Sequence, residues 1–284
     1  MNQSNLFILK ESVNYPGLFV KKYKKKVFFD NLWDGELIES RGKVLFSDGT
    51  VVVNPFTKIF NYGENGTSIP DTGVKCLWVQ KINGFMAAAT YVPQVNDVVI
   101  STTGSLDSRF VDMAKEFFTD TIYNSIRNKP RFTFLFEVCH PNDPHIIQEE
   151  PGLYLIGMRN ISDTEHYFSD IYIERTLDIY ATTWGVKRPV YDTVNNFESI
   201  KIANKVATDE GVVVYAENGT VLKIKTPYYL ITKAIARIKE ISKLSKQKVD
   251  EEFYPLLDYV KSIPNFSELD EQSRIKEIIK YYGK

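Results

Sequence analysis

With 284 residues and 43% hydrophobic content, the chain can bury a substantial core, which excludes a disordered or low-complexity protein. Its 35 Lys+Arg offset 36 Asp+Glu to a formal net charge of -1, so no global basic field marks a nucleic-acid partner, and any such binding must come from local clusters. This size predicts one large domain plus a smaller one.

The two cysteines, Cys76 and Cys139, fall in predicted strands at no spacing that reads as a disulfide framework or zinc site, which fits a reducing compartment. The opening MNQSNLFILKES lacks a signal peptide's basic segment and long apolar run, and no stretch is long enough for a membrane helix, so a soluble cytoplasmic protein is expected.

In chain order, short apolar or alternating runs predict strands at LFILKES, KVFFDN, KVLFSDGTVVVNP, CLWVQK, FMAAATYV, DVVIST, RFTFLFEV, GLYLIGMRN, EGVVVYA and TVLKIKT. Helices are predicted over residues 107–128 and near 169–181. After Pro227 the apolar residues of YYLITKAIARIKEISKLSKQ, EEFYPLLDYVKSI and EQSRIKEIIKYYGK recur at helical spacing with lysines between them. A mainly strand-built region over 1–226 and a small all-helical one over 227–284 are therefore expected.

Four segments carry candidate chemistry. In VKKYKKKVFF (20–29) five lysines interleave with Tyr23, a pattern for tracking phosphates while a ring stacks on a base, and equally for a lysine-guarded edge strand. In WVQKINGFMAAAT (78–90) Lys81 is either a surface charge beside an Asn-Gly hairpin turn or a nucleophile. RFTFLFEV (131–138) places Phe132, Phe134, Phe136 and Val138 on one face and Glu137 on the other, where a carboxylate needs a partner.

In EGVVVYAENGTVLKIKT (210–226), a two-residue Asn218-Gly219 loop sets Val214 against Lys223 and Val212 against Lys225. Glu210, Val212, Val214, Lys223 and Lys225 then share one face, which reads as a solvated ion-paired surface or as a phosphate cradle. Like-charged lysines on one strand face repel unless water or an anion compensates them. His140 and His145 flank PNDP without a third ligand and read as loop residues. No GxxxxGK[ST] loop is present.

In chain order, KINGFM at Lys81, FLFEV at Glu137, GLYLIGMRN at Tyr154, EGVVV at Glu210 and KIK at Lys223 resemble the nucleotidyltransferase motifs of the covalent ligase superfamily. The segment ESRGKVLFSDGTVVVNPFTKIFNYGEN (39–65) resembles the phage T4 RNA ligase 1 family, and the resemblance runs from about residue 39 to 229. It implies an α+β nucleotidyltransferase, ATP-grasp-like domain of mainly antiparallel sheets with flanking helices, followed by the helical domain.

Carried over residue by residue, the resemblance makes Lys81 the nucleophile that forms a lysyl-AMP with ATP. It assigns phosphates to Arg41, Lys58, Lys223 and Lys225, with Phe60 beside Lys58, a close turn to Gly84 and the ribose to Glu137. Gln80 would meet the adenine edge, Ile156 or Met158 its face, and Glu210 a magnesium ion, with manganese as an alternative. A lysine with pKa near 10.4 is rarely neutral at pH 7, so Lys223, Lys225 and a metal are expected to disfavour its charge.

Two departures stand out: Asn83-Gly84-Phe85 replaces the family's Asp-Gly-Ser, and Thr103 in TTGSLD replaces a lysine, weakening one accessory phosphate contact. DNA ligases and capping enzymes follow the Lys-x-Lys strand with an OB barrel, whereas helices follow it here. The resemblance thus implies an RNA ligase joining 5′-phosphate and 3′-hydroxyl ends, tRNA being one candidate substrate and RNA repair in a bacteriophage setting the context. The alternatives are a DNA ligase or other adenylyltransferase, or a catalytically silent RNA-binding protein. Lys233, Lys239, Lys243 and Lys246 read either as RNA contacts or as a solvated face.

Overall fold

A computed structural model describes residues 3–237 and 253–282. Strands β1 (Phe7–Glu11), β2 (Leu18–Tyr23), β3 (Arg41–Phe46) and β4 (Val51–Val53) form a sheet in that order. The chain enters a second sheet with β5 (Phe60–Asn61) and β6 (Cys76–Gln80). It then crosses to a third, made of β7 (Phe85–Val92), β8 (Asp97–Thr102), β9 (Phe132–Cys139) and β10 (Gly152–Asn160) in the order β10-β9-β7-β8. Strands β11 (Tyr191–Val194), β12 (Gly211–Ala216) and β13 (Val221–Lys225) return to the second, giving β11-β6-β12-β13-β5. Every described pairing of strands is antiparallel except β13 with β5.

Helices α1 (Lys25–Phe29) and α2 (Gly35–Glu39) lie between β2 and β3, and α3 (Arg109–Lys115) and α4 (Asp120–Arg127) between β8 and β9. Helices α5 (Ile171–Trp184) and α6 (Phe197–Val206) flank β11, while α7 (Pro227–Arg237), α8 (Tyr254–Ser262) and α9 (Glu271–Tyr282) follow β13. The expected α+β class holds. No described helix is long and apolar enough to cross a membrane.

Three local expectations change. KVFFDN forms α1 rather than a strand: Val27 is its buried residue, while Phe28 and Phe29 are exposed. The lysine-rich stretch before it is β2, an inner strand between β1 and β3, so it guards no sheet edge, and the Tyr23 ring packs edge-on against Trp33 at 4.8 Å. The helix predicted over 107–128 is two helices, because Thr119 caps a new start, its hydroxyl accepting from the Ile122 amide at 3.4 Å. Helix α5 is capped by Asp170, which accepts from the Tyr172 and Ile173 amides, and stops at Gly185, whose φ of 65° suits glycine.

Strand alternation sorts the core into layers. Ala87, Ala89, Phe134, Phe136, Val138 and Leu155 face α3, α4 and α5, where Phe134 and Phe136 are fully buried and each contribute about 2–3 kcal/mol by burial. From the opposite face, Ala88 and Leu135 meet Leu77, Val79 and Tyr215 of the second sheet and Val44 and Val53 of the first. On the crossing from β6 to β7, Ile82 packs in a separate small cluster with Cys139 and Tyr154. Helices α7, α8 and α9 have their own apolar cluster around Ile235, Leu256, Leu257, Val260, Phe266 and Ile278.

Candidate active site

Because β6 and β7 belong to different sheets, Asn83-Gly84 is no hairpin turn; it is the passage between them. Period-two alternation through Leu77 and Val79 carries Lys81 to the inner face, and its amide is tied to the Gly211 carbonyl at 2.8 Å. A Cβ on Gly84 would lie 2.3 Å from the Val138 carbonyl oxygen and 3.1 Å from Glu137 Cγ, so only glycine passes here. The Gly84 amide donates to Glu137 Oε1 at 3.1 Å.

The β12–β13 register differs by one residue from the expected one: Val213 faces Lys223 and Gly211 faces Lys225. A two-residue type I′ loop needs positive φ at both Asn218 and Gly219, and only Gly219 (φ 86°) has it. The chain instead closes a three-residue loop, with Ala216 donating to the Thr220 carbonyl at 2.9 Å. Lys223 and Lys225 therefore share their face with Val213 and Tyr215, while Val212 and Val214 turn to α6. Glu210 lies just outside the strand. Its carboxylate nevertheless meets both lysine groups, Oε2 at 2.9 Å from Lys81 Nζ and Oε1 at 3.0 Å from Lys225 Nζ.

These groups open on a cavity of about 630 Å³. One wall is apolar, with Phe56, Val79, Ile156, Val213 and Tyr215. Ile156 reaches it because a bulge in β10 between Leu155 and Gly157 re-aims its side chain; Met158 packs into the core instead. Arg41, Gln80, Lys81, Gly84, Glu137, Glu210, Lys223 and Lys225 complete the sequence-derived set in the lining. Lys58 and Phe60 do not line it. Lys58 donates to Glu64 at 3.1 Å and lies 4.2 Å over the Phe60 ring, while β5 brings the pair beside Lys223.

The electrostatics are asymmetric. Burial opposes charge on Lys81, but Glu137 and Glu210 outweigh it and hold the ammonium above the ordinary lysine range. Burial pushes the Glu137 carboxyl up, whereas Lys81 and Lys225 overcome burial at Glu210 and hold it down. The Lys223 carbonyl accepts from the Tyr62 amide at 2.9 Å, but its Nζ has no hydrogen-bond or ion-pair partner among the described residues. Burial first, then Arg41, Lys58, Lys81 and Lys225, bring its pKa down to about 7. A buried cation ringed by cations is a site for an anion. So the amine whose proton is easily lost is Lys223, not Lys81 as the sequence argument expected.

Four side chains take a place in the site that the sequence reading did not give them: Asn83, read only as a departure from the family's aspartate, Lys233, read as an RNA contact or a solvated lysine, and Tyr229 and Arg237, not singled out. Asn83 is 4% exposed; it donates to Glu210 Oε2 at 2.8 Å and accepts from the Ile147 amide at 3.1 Å. An aspartate there would set a second carboxylate against Glu210, whereas the amide serves both partners. Tyr229, Lys233 and Arg237 also line the cavity, and their four-residue spacing in α7 was the available signal. His140 meets Glu116 and His145 meets Asp143. No group of three metal-ligating side chains occurs among the described residues.

Phosphate oxygens favour the Lys223 ammonium, so binding an anionic nucleotide raises its pKa from about 7 and takes up a proton. Nucleotide affinity is expected to be level below pH 7 and to fall by up to about tenfold per pH unit above it. Calorimetric affinities across pH check this: Lys223→Met removes the fall, and the difference between the two profiles isolates Lys223 from the nucleotide's own titration.

The profile of the RNA ligase family matches residues 17–229. No curated protein matches the chain. Among solved structures, an Aquifex aeolicus protein provisionally described as an ATP-dependent DNA ligase aligns with TM-score 0.57 at 14% identity, over 98% of this chain and 76% of its own. An archaeal ATP-dependent RNA ligase aligns with TM-score 0.55 at 13% identity, over 96% and 73%. These likenesses establish the nucleotidyltransferase fold of such ligases. With the profile matched from β2 through the first turn of α7, the chain belongs to the T4 RNA ligase 1-like family, the ATP-dependent ligases of RNA.

Proposed function

We propose that the chain seals RNA 5′-phosphate and 3′-hydroxyl ends through an adenylate carried on Lys81. The observation that supports this best is the convergence, in one cavity, of Lys81, its partner Glu210 and the unpaired cation Lys223. Residues 1–226 act as the adenylyltransferase domain and 227–284 as the helical one.

In the first step Lys81 gives up its ammonium proton and Nζ attacks the α-phosphorus of ATP. An N–P bond forms, the bond to the pyrophosphate oxygen breaks, and pyrophosphate leaves with that electron pair while nitrogen sheds a second proton. In the second, an oxygen of the RNA 5′-phosphate attacks the same phosphorus and the P–N bond breaks, with Lys81 recovering a proton. In the third, the 3′-hydroxyl oxygen attacks the RNA phosphorus and sheds its proton to solvent, the P–O bond to AMP breaks with AMP taking the electron pair, and the strand is joined.

The apolar wall takes the adenosine, with Gln80 at the base edge, Ile156 against its face and Glu137 at the ribose. Arg41, Lys223 and Lys225 hold the phosphates, with Lys58 and Phe60 supporting them from β5. These cations stabilise charge gathering on the leaving pyrophosphate, the larger share of what a protein offers such transfers. Glu210 is a single carboxylate, so a divalent ion, magnesium or manganese, fits there only with phosphate oxygens completing its ligands. Glu210 would hold such an ion, which would supply positive charge against the phosphates.

The test offers ATP and magnesium with 5′-phosphorylated single-stranded RNA or nicked duplex DNA. Joined RNA is the expected product. Joining of DNA alone supports the DNA-ligase alternative, and binding of RNA with no joining of either supports a silent binding protein.

A further inference from the structure

The RNA strand must reach Lys81 from solvent while the nucleotide occupies the buried cations, and the cavity carries a second set of cations for it. Arg41, Lys58 and Lys223 cluster toward β5. After β13, α7 brings Tyr229, Lys233 and Arg237 to the cavity, each four residues and about 6 Å along the axis from the last. Tyr229 is 3% exposed; Lys225 Nζ lies 4.6 Å over its ring, and its hydroxyl accepts from Lys233 Nζ at 2.7 Å.

Lys233 thus points inward, held by a phenol and meeting no carboxylate among the described residues. Burial, with Lys225 and Arg237, outweighs Glu210 and brings its pKa down to about 8. Arg237 stands at the solvent rim, paired with Glu271 at 2.7 Å, the two side chains 57% and 46% exposed. Exposed pairs of this kind are weak and yield to a phosphate. Lys239, Lys243 and Lys246 lie outside the described residues.

We propose that Lys233 and Arg237 form a lane along α7 for the backbone phosphates of the RNA strand, leading from the rim to Lys81 and separate from the cations that hold the nucleotide. The assignment rests on the ligase reading for its substrate, and on geometry for its residues. A polymer that enters from outside needs cations in a row reaching solvent; a nucleotide does not.

The experiment compares wild type, Lys233→Met and Lys233→Arg in three measurements: lysyl-AMP formation with labelled ATP, single-turnover AMP transfer to 5′-phosphorylated single-stranded RNA, and RNA affinity across salt concentration. Lys233→Met is expected to slow transfer about 10- to 100-fold, the loss of one charge-assisted hydrogen bond. Lysyl-AMP formation changes far less, and the slope of log affinity against log salt becomes shallower by about 0.7. Lys233→Arg recovers the slope, and Glu271→Gln, which frees Arg237, tightens RNA binding.

Equal losses in lysyl-AMP formation and transfer would place Lys233 in the nucleotide site and overturn the lane; so would an unchanged slope. Should wild type form no lysyl-AMP while the slope still shifts, the lane stands and the role given to Lys81 falls.

Discussion

Glu210→Gln is expected to destabilise the protein by about 3–5 kcal/mol and to slow adenylylation about 10²- to 10³-fold. The carboxylate is 2% exposed and joins two ammonium groups, at 2.9 Å and 3.0 Å, while accepting from Asn83 at 2.8 Å. The near-isosteric amide keeps the volume and removes the charge, leaving Lys225 without its ion-pair partner and Lys81 with Glu137 alone. Chemical denaturation reads the first effect and single-turnover labelling the second.

The same variant has a signature that simple unfolding would not produce. Burial already opposes charge on Lys81, and Glu137 and Glu210 together reverse that. With Glu210 neutralised, the Lys81 proton leaves more easily, so the residual rate climbs with pH at lower pH than in wild type. A residual rate that climbs at the wild-type pH would show that Glu210 does not govern the Lys81 proton.

Lys81→Ala is expected to bring lysyl-AMP formation and ATP-driven joining below about one ten-thousandth of the wild-type rate. Arg41, Lys223 and Lys225 still bind phosphates, but no amine stands where the N–P bond must form. The third step breaks no bond to Lys81. RNA supplied with its 5′ end already adenylylated is therefore still sealed by the variant, which gel analysis of the joined strand checks. Loss of sealing together with adenylylation would mean that the substitution disrupts the cavity.

The parts of this site that were legible in the sequence were those set by local pattern. Alternation alone put Glu137 opposite the phenylalanine face of β9, and helical spacing after Pro227 announced α7, α8 and α9. What failed depended on a single backbone angle or on a distant partner. Asn218 stays out of the left-handed region, and that choice lengthens the loop and shifts every pairing of β12 with β13 by one. The face carrying Lys223 and Lys225 is thus not the one deduced, yet Glu210 reaches Lys225 and Lys81 from outside the strand.

Asn83-Gly84 had every local mark of a hairpin. Only the sheet order shows a passage between sheets, with Glu137 and the Val138 carbonyl pressing on Gly84. Lys58 shows the reverse case: the family pattern names it, while the fold turns it onto Phe60 and Glu64 beside the cavity. No local pattern could show that Lys233 turns inward to the cavity, because that depends on how α7 packs on α6 and α9.

Two amines compete for the role of nucleophile on physical grounds. Lys223, with a pKa brought to about 7, is the more readily neutral one before nucleotide binds, whereas Lys81 is held charged by Glu137 and Glu210. Phosphates restore the Lys223 proton, and weakening the hold of Glu210 releases that of Lys81. The direct test is to incubate the protein with ATP and magnesium, digest it, and locate the AMP-bearing peptide by mass spectrometry. The account predicts one adduct, on Lys81; an adduct on Lys223, or none, would contradict it.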